Sequence, residues 1–341
     1  MGRPGGYMCN WRTFLRLFWV SIGPLFVAWT KAHAIEWADV QIFGDVYVNR
    51  RMLEVTQSDT KNPRLFAGVS DLIESSSLDI ANFEGVATKI DQPLDTQKQF
   101  LLRVPATVPM ILRNGGIDAV TLANNHSLDF GYQGLQDTIR LLIEADLDYA
   151  GAGANKAQAL VPMRFQLVGD KKICVLSFSR TLPQSFWATK DRPGTAYASL
   201  PEVVSEVKNC AQGGYFTIPI FHWGQELTRT PLEYQRELAR AAIDAGAPIV
   251  IGHHPHLIQD IEIYRGRLIL YSTGNFLFGT DPKHHIPEGM AVRLRLSTGA
   301  EARNFAVDLV PLVVRNDRVG YVPRISDNDE DDYVTPSPTK Y

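Results

Sequence analysis

Ile249-Val250-Ile251-Gly252-His253-His254-Pro255-His256 sets the frame for the whole chain. A short β-branched apolar run ends in glycine, and three histidines crowd into the next four positions. A buried strand that delivers imidazoles to its C-terminal end is how α/β enzymes place reactive groups in a crevice. His254 and His256 are two positions apart, so around a kink at Pro255 both rings can face one point. Imidazole is a good ligand for a transition-metal ion such as zinc or manganese. The competing account is a surface cluster of histidines, or a single histidine serving as a hydrogen-bonding core residue. Three imidazoles directly after a strand and a glycine favour a site.

The same pattern recurs upstream. Ile35–Val48 reads as a strand ending in Phe43-Gly44-Asp45-Val46-Tyr47; an aspartate there suits a metal carboxylate, although Gly-Asp is also turn chemistry. Arg64–Ser77 reads as a helix, and Leu78–Phe83 as a strand that lands on Asn82-Phe83-Glu84-Gly85. Pro105–Asn114 is a helix stopped by Gly115-Gly116, and Ile117–Leu122 is a strand running into Ala123-Asn124-Asn125-His126-Ser127-Leu128-Asp129. An asparagine carbonyl is an oxygen ligand, and the adjacent histidine can donate a proton or clamp an anion. Tyr215–Phe221 is a β-rich run delivering His222-Trp223-Gly224-Gln225-Glu226. Between these elements, Gly131–Leu147, Pro201–Ala211 and Pro231–Ala245 carry helical spacing, with Leu232, Leu238, Ala242 and Ile243 on one side of the last. Asp91–Gln99 reads as a polar loop near the mouth of a site. Thr181–Ala198, with Phe186, Trp187 and Tyr197, reads either as a loop over it or as surface irregularity.

Asp45, Glu84, Asn125, His222, His254 and His256 thus all fall just beyond strands. In an α/β chain whose strands are mostly parallel, those ends converge at one sheet edge. Carboxylate, amide oxygen and imidazole together are the ligand mixture of a hydrolytic metal centre, with Glu84 able to bridge two ions. His126 stays outside the ligand set to protonate a leaving group or hold an anionic oxygen, and Asp129 orients it. No G-x-S-x-G and no G-x-x-x-x-G-K-[ST] occurs, which leaves serine-hydrolase and nucleotide-loop chemistry without support.

The chain has 341 residues, 45% hydrophobic and 21% charged, with a net charge of -3, so a substantial core is available and no basic face invites nucleic acid. Arg3, Arg12 and Arg16 precede the uncharged apolar run Leu17–Thr30, and Ala32-His33-Ala34 follows. That order reads as a secretory signal over 1–34, cut after Ala34; left uncut, it would be the only membrane attachment. In a bacterium the mature protein would be periplasmic or extracellular. Cys174 and Cys210 remain in it, either bridged or with Cys174 a buried free thiol. One domain is expected over 35–325, and the acidic, then Pro/Ser/Thr-rich 326–341 reads as a disordered tail.

Gly44-Asp45, Asn82-x-Glu84-Gly85, Asn124-Asn125-His126, His222-Trp223-Gly224-x-Glu226, Gly252-His253-His254-Pro255-His256 and Tyr271-Ser272-x-Gly274-Asn275-Phe276 resemble, in order, the motifs of the CapA-type poly-gamma-glutamate capsule biosynthesis proteins. That family is similar to the calcineurin-like metallophosphoesterases. The resemblance implies a four-layer α/β/β/α sandwich and a dinuclear centre. It assigns one divalent ion (manganese, zinc or iron) to Asp45, Glu84 and His256, and the other to Glu84, Asn125, His222 and His254. Two departures stand out: Tyr47 occupies the third position of the phosphoesterase Asp-x-His motif, and the bridging aspartate is replaced by Glu84. One imidazole fewer implies one tight and one loose ion, or a single ion.

Two functions from different classes compete. One is an exported metal-dependent hydrolase acting on a phosphoester or gamma-linked amide of an anionic polymer or small molecule, in synthesis, export or trimming of a capsule. The other is a non-catalytic accessory that binds the polymer or a capsule synthase and export complex through the same cleft. Tyr47 favours the accessory, and the Asn125-His126 pair favours chemistry. A purely structural exported domain leaves the six strand-end polar residues unexplained.

Overall fold

Two β-sheets stack face to face, and the chain's apolar alternation explains why. In Phe216–His222, Ile218 and Ile220 face the layer between the sheets while Phe221 faces outward, so a strand covered on both sides reads as one unbroken apolar run. The computed structural model describes residues 37–280, 287–297, 305–326 and 339–340. The first sheet runs in the order Arg324–Ile325, Phe305–Val313, Gly289–Ser297, Trp37–Tyr47, Leu78–Phe83, Ala119–Thr121, Asp148–Ala150, with Asn275–Phe278 also pairing with Trp37–Tyr47. The second runs Thr339–Lys340, Ile261–Tyr264, Arg267–Leu270, Ile249–His253, Phe216–His222, Lys172–Ser179, Met163–Gln166.

The site-bearing strands are parallel within each sheet. Trp37–Tyr47, Leu78–Phe83 and Ala119–Thr121 run together in the first, and Lys172–Ser179, Phe216–His222 and Ile249–His253 in the second. Their C-terminal ends therefore share an edge. Antiparallel strands are confined to the flanks, as in the Ile261–Tyr264 and Arg267–Leu270 hairpin.

Three apolar layers hold the assembly. Between the sheets, Val40, Ile42 and Ile80 meet Ile218, Ile220 and Ile251, all essentially excluded from water. Outside the first sheet, Leu112 and Leu135 from helices Val108–Asn114 and Gly131–Glu144 pack with Phe83 and Val120. Outside the second, Val203 and Leu238 from helices Leu200–Gln212 and Glu233–Asp244 pack with Phe178 and Val250. The result is an α/β/β/α sandwich. Each fully buried side chain of this size contributes about 1.5–3 kcal/mol, so the layers dominate stability.

Several local expectations shift. Arg64–Ser77 is not one helix but a 3₁₀ turn, Arg64–Phe66, followed by Ser70–Glu74. Gly68 lies between them, packed so closely on the Pro323 carbonyl that a Cβ there would come within 2.4 Å of its oxygen. Arg50–Thr56 is a helix that apolar spacing does not announce; the Asn49 side chain caps it by accepting from the Met52 amide at 3.0 Å. The helix expected over Pro231–Ala245 starts at Glu233, which leaves Leu232 at its cap and exposed rather than on the buried side. Cys174 and Cys210 are bridged, tying strand Lys172–Ser179 to helix Leu200–Gln212. The signal segment 1–34 and tail residues 327–338 and 341 lie outside the described residues; Thr339–Lys340, expected to be disordered, pairs in parallel with Glu262 and Ile263. Among the described residues, no helix is long and apolar enough to cross a membrane.

Candidate metal centre

Each expected site residue sits where a parallel strand runs out. Asp45 lies near the end of Trp37–Tyr47, Glu84 follows Phe83, Asn125 and His126 follow Thr121, His222 ends its strand, and His254 and His256 follow His253. Glycine permits the close approach. A Cβ on Gly44 would fall 2.1 Å from the Gly274 carbonyl oxygen, the same oxygen that accepts from the Asp45 amide at 3.0 Å. Without a side chain at 44, Asp45 can pair with Asn275 in the adjoining parallel strand.

The structure gathers the other six of these residues around Glu84. Glu84, His222 and His254 offer ligand atoms all within 4.8 Å of one another, and so do Asp45, Glu84 and His256. His222 Nε2 is 3.6 Å from Glu84 Oε1 and 2.7 Å from Asn125 Oδ1, so the amide oxygen faces the first of these groups. His256 Nδ1 is 3.4 Å from Asp45 Oδ2, while its Nε2 is 3.8 Å from Glu84 Oε1. His254 and His256 thus fall into two different groups, and the point common to both is Glu84. Both adopt positive φ, 101° at His254 and 57° at His256, around Pro255, and the His254 amide donates to Asp45 Oδ2 at 3.2 Å. Non-glycine residues in that region are strained and cluster at functional sites.

His126 stands just outside both groups, its Nε2 3.9 Å from Glu84 Oε1 and its Nδ1 2.7 Å from Asp129 Oδ2. Asp129 is itself fixed, since Oδ2 also accepts from the Leu102 amide at 2.8 Å. Lys98, in the polar loop 91–99, makes an ion pair with Asp129, donates to the Asn125 carbonyl at 2.6 Å and lies 3.1 Å from His126 Nδ1. No periodicity or spacing marks Lys98 in the sequence.

Three further residues complete the shell. Asn82 Nδ2 donates to Asp45 Oδ1 at 2.7 Å and lies 3.2 Å from His222 Nδ1. Asn275 Oδ1 lies 2.9 Å from His256 Nδ1, and His253 Nδ1 is 3.9 Å from Asp45 Oδ1. Asn82 and Asn275 stand in the motifs already noted, but nothing in a one-dimensional pattern separates a ligand from its supporting neighbour.

The electrostatics fit a cation. Glu84 is 0% exposed, and neither of its oxygens has a hydrogen-bond partner; His254 Nδ1 is likewise buried and unpartnered. Burial and the Asp45 carboxylate push Glu84 well above the usual carboxylate range. Burial and the neighbouring His256 pull His254 down to about 3, and burial with His254 and His253 takes His222 well below its ordinary value. At His256 burial is overcome by Glu84 and Asp45, which push it up to about 10. Orphaned carboxylate oxygens beside the neutral imidazoles of His222 and His254 are a donor set that satisfies a divalent ion and is costly without one.

Comparison with known proteins agrees with this architecture. The solved structure of Haemophilus influenzae NAD nucleotidase (NadN) matches with a TM-score of 0.50 and 11% identity, covering 82% of this chain and 56% of that one. At that identity the likeness concerns the fold alone, an α/β sandwich of the metallophosphoesterase type. In sequence, the chain is 32% identical over 252 residues to the PGA biosynthesis protein CapA of Bacillus subtilis (strain 168), covering 73% of this chain and 65% of that protein. It is also 32% identical over 259 residues to the capsule biosynthesis protein CapA of Bacillus anthracis, covering 74% and 62% respectively. The chain thus spans slightly less than two thirds of the length of these relatives. The family described as bacterial capsule synthesis protein PGA_cap matches residues 39–280, a span that opens before Asp45, closes after Asn275 and takes in every residue of the centre. A shared run of that extent, folded into the sandwich just described, makes this chain a member of the bacterial capsule synthesis protein family.

Proposed function

We propose that the protein is an exported, metal-dependent hydrolase acting on an anionic capsule polymer such as poly-gamma-glutamate during its synthesis, export or trimming. The observation that carries this reading is Glu84, wholly buried with both oxygens unpartnered between two ligand groups. Asp45, Glu84 and His256 would hold one divalent ion, and Glu84, Asn125, His222 and His254 the other. Such an ion, when bound, supplies polarisation of a phosphoester or amide and stabilises the charge developing on it. The chain's own residues do the rest. Asp129 holds His126 Nδ1, leaving Nε2 toward the cleft to move a proton at the leaving atom. Lys98 neutralises Asp129 and fixes the Asn125 carbonyl, so the Asn-His pair keeps one orientation. The Cys174–Cys210 bridge supports an oxidising compartment, and with it export through the N-terminal segment. The kinship with capsule synthesis proteins supports a synthase complex as partner.

A second reading, a polymer-binding accessory without turnover, is favoured by Tyr47. Its ring packs on Phe278 with centroids 5.6 Å apart, at the position where the phosphoesterase motif carries an imidazole. Metal analysis of the purified protein and His126→Ala together separate the two. The expected outcome is one tightly retained ion per chain, with a second lost on gel filtration. His126→Ala should keep the metal and polymer binding while turnover falls about 10²–10⁴-fold. Two tightly retained ions would contradict the ligand assignment. Absence of wild-type turnover on both phosphoester and gamma-amide substrates would establish the accessory.

A further inference from the structure

Half-buried arginines in this protein generally meet a carboxylate: Arg113 meets Asp118, Arg236 meets Glu262, and Arg293 meets Asp39. Arg180 does not. Among the described residues its guanidinium has no carboxylate partner and no hydrogen bond; its neighbours are two aromatic rings, Tyr234 at 4.9 Å and Tyr197 at 5.9 Å from the guanidinium carbon.

Its place in the fold is specific. Ser179, the last residue of its strand, is in register with His222, and the Arg180 amide donates to the His222 carbonyl at 3.0 Å. Alternation along the strand puts Arg180 on the face of Phe178, toward the outer helices, whereas His222 continues the face of Ile218 and Ile220. The clamp is anchored at both rings. Tyr234 Oη accepts from the Gly224 amide at 2.7 Å, two residues beyond His222, and Tyr197 stacks on Trp187 with centroids 4.0 Å apart. A guanidinium held against aromatic rings without a carboxylate partner retains N–H donors, and its planar fork matches a carboxylate or phosphate bidentately.

We propose that Arg180, clamped between Tyr197 and Tyr234, binds an anionic group of an extended substrate whose reacting bond lies at the neighbouring metal centre. This rests on the hydrolase reading for the reacting bond, but anion binding itself does not require turnover. Arg180 and the His222 imidazole lie on opposite faces of neighbouring strands, so the anion held at Arg180 is a group separate from the reacting bond, as in a polymer of acidic repeats. The recognised chemistry is an oxyanion, carried either by side-chain carboxylates or by phosphates.

The test is equilibrium binding of the metal-loaded full chain to three probes: poly-gamma-glutamate, the same polymer with its carboxylates amidated, and inorganic polyphosphate. Arg180→Gln is expected to weaken poly-gamma-glutamate binding about tenfold to a hundredfold, to make no difference to the amidated polymer, and to leave metal content unchanged. Arg180→Lys, which keeps the charge but not the fork, should lie between and guards against a folding defect in the glutamine variant. If the loss is confined to polyphosphate, the anion is a phosphate and the site stands with that source. If Arg180→Gln binds both acidic polymers as tightly as wild type, or if the wild type binds neither, the proposal is overturned. Binding that depends on Arg180 without any turnover would retain the anion site and remove the hydrolase. Turnover by the wild type, with both acidic polymers bound as tightly by Arg180→Gln as by wild type, would do the reverse.

Discussion

Replacing Glu84 by glutamine should change the sign of its effect on stability according to whether metal is present. In chelator, wild type holds a 0% exposed carboxylate whose two oxygens lack partners, next to Asp45. An unsatisfied buried acceptor costs about 1–3 kcal/mol, and more when charged. Glu84→Gln removes the charge, so the metal-free variant should be more stable than wild type by about that amount at pH 7. With metal at a hundred times its dissociation constant, wild type gains about 2.7 kcal/mol by mass action, while the variant has lost the group shared by both ligand sets. The order should invert. The pH dependence follows from the raised value of Glu84 in the fold. A raised carboxyl keeps its full contribution below the unfolded value of 4.5 and loses it as pH climbs, so the metal-free advantage of the variant vanishes near pH 4 and grows toward pH 7. Urea denaturation with and without chelator, at pH 4 and 7, measures every arm. A variant less stable than wild type in chelator at pH 7 would refute the reasoning, because Glu84 would then be a satisfied structural group.

Two further outcomes concern the rest of the fold. Asp79 is buried with Oδ1 unpartnered, and burial, with the Asp118 charge adding to it against the Ser76 hydroxyl, pushes it up to about 8. Its raised value costs stability between its ordinary 3.8 and about 8, so Asp79→Asn should raise the urea midpoint at pH 7, with a ceiling of about 4 kcal/mol, and have little effect at pH 4. The Cys174–Cys210 bridge closes a loop with a sequence separation of 36, so replacing both cysteines by serine should cost about 4 kcal/mol in denaturant; an unchanged midpoint would mean the bridge does not constrain the unfolded chain.

The sandwich was legible because its signal is local and repeated. Each buried parallel strand reads as an apolar run ending in a polar residue, and several helices end at glycine, as Leu200–Gln212 does at Gly213. That repetition also exposed Asp45, Glu84, Asn125, His222, His254 and His256, since a strand end is a place the sequence marks. What it does not mark is direction. His254 and His256 join different groups around Glu84, and the positive backbone angles on either side of Pro255 are something their spacing cannot report. Lys98 belongs to a loop without period, and its partners lie 27 to 31 residues away. The Arg64–Ser77 segment has helical composition, yet tertiary contact at Gly68 interrupts it. Cys174 and Cys210 illustrate the same limit: a separation of 36 residues carries no distance until strand and helix are packed.

The division of labour between the two sheets has a mechanical consequence. One sheet contributes the oxygen donors Asp45, Glu84 and Asn125, and the other contributes the imidazoles of His222, His254 and His256. Neither half can grip an ion alone, so the isoleucine and valine filling beneath acts as a spacer whose thickness calibrates the gap between donors. Enlarging a filler residue such as Ile220 would wedge the halves apart, and affinity for the ion would then serve as a caliper on the packing far below it.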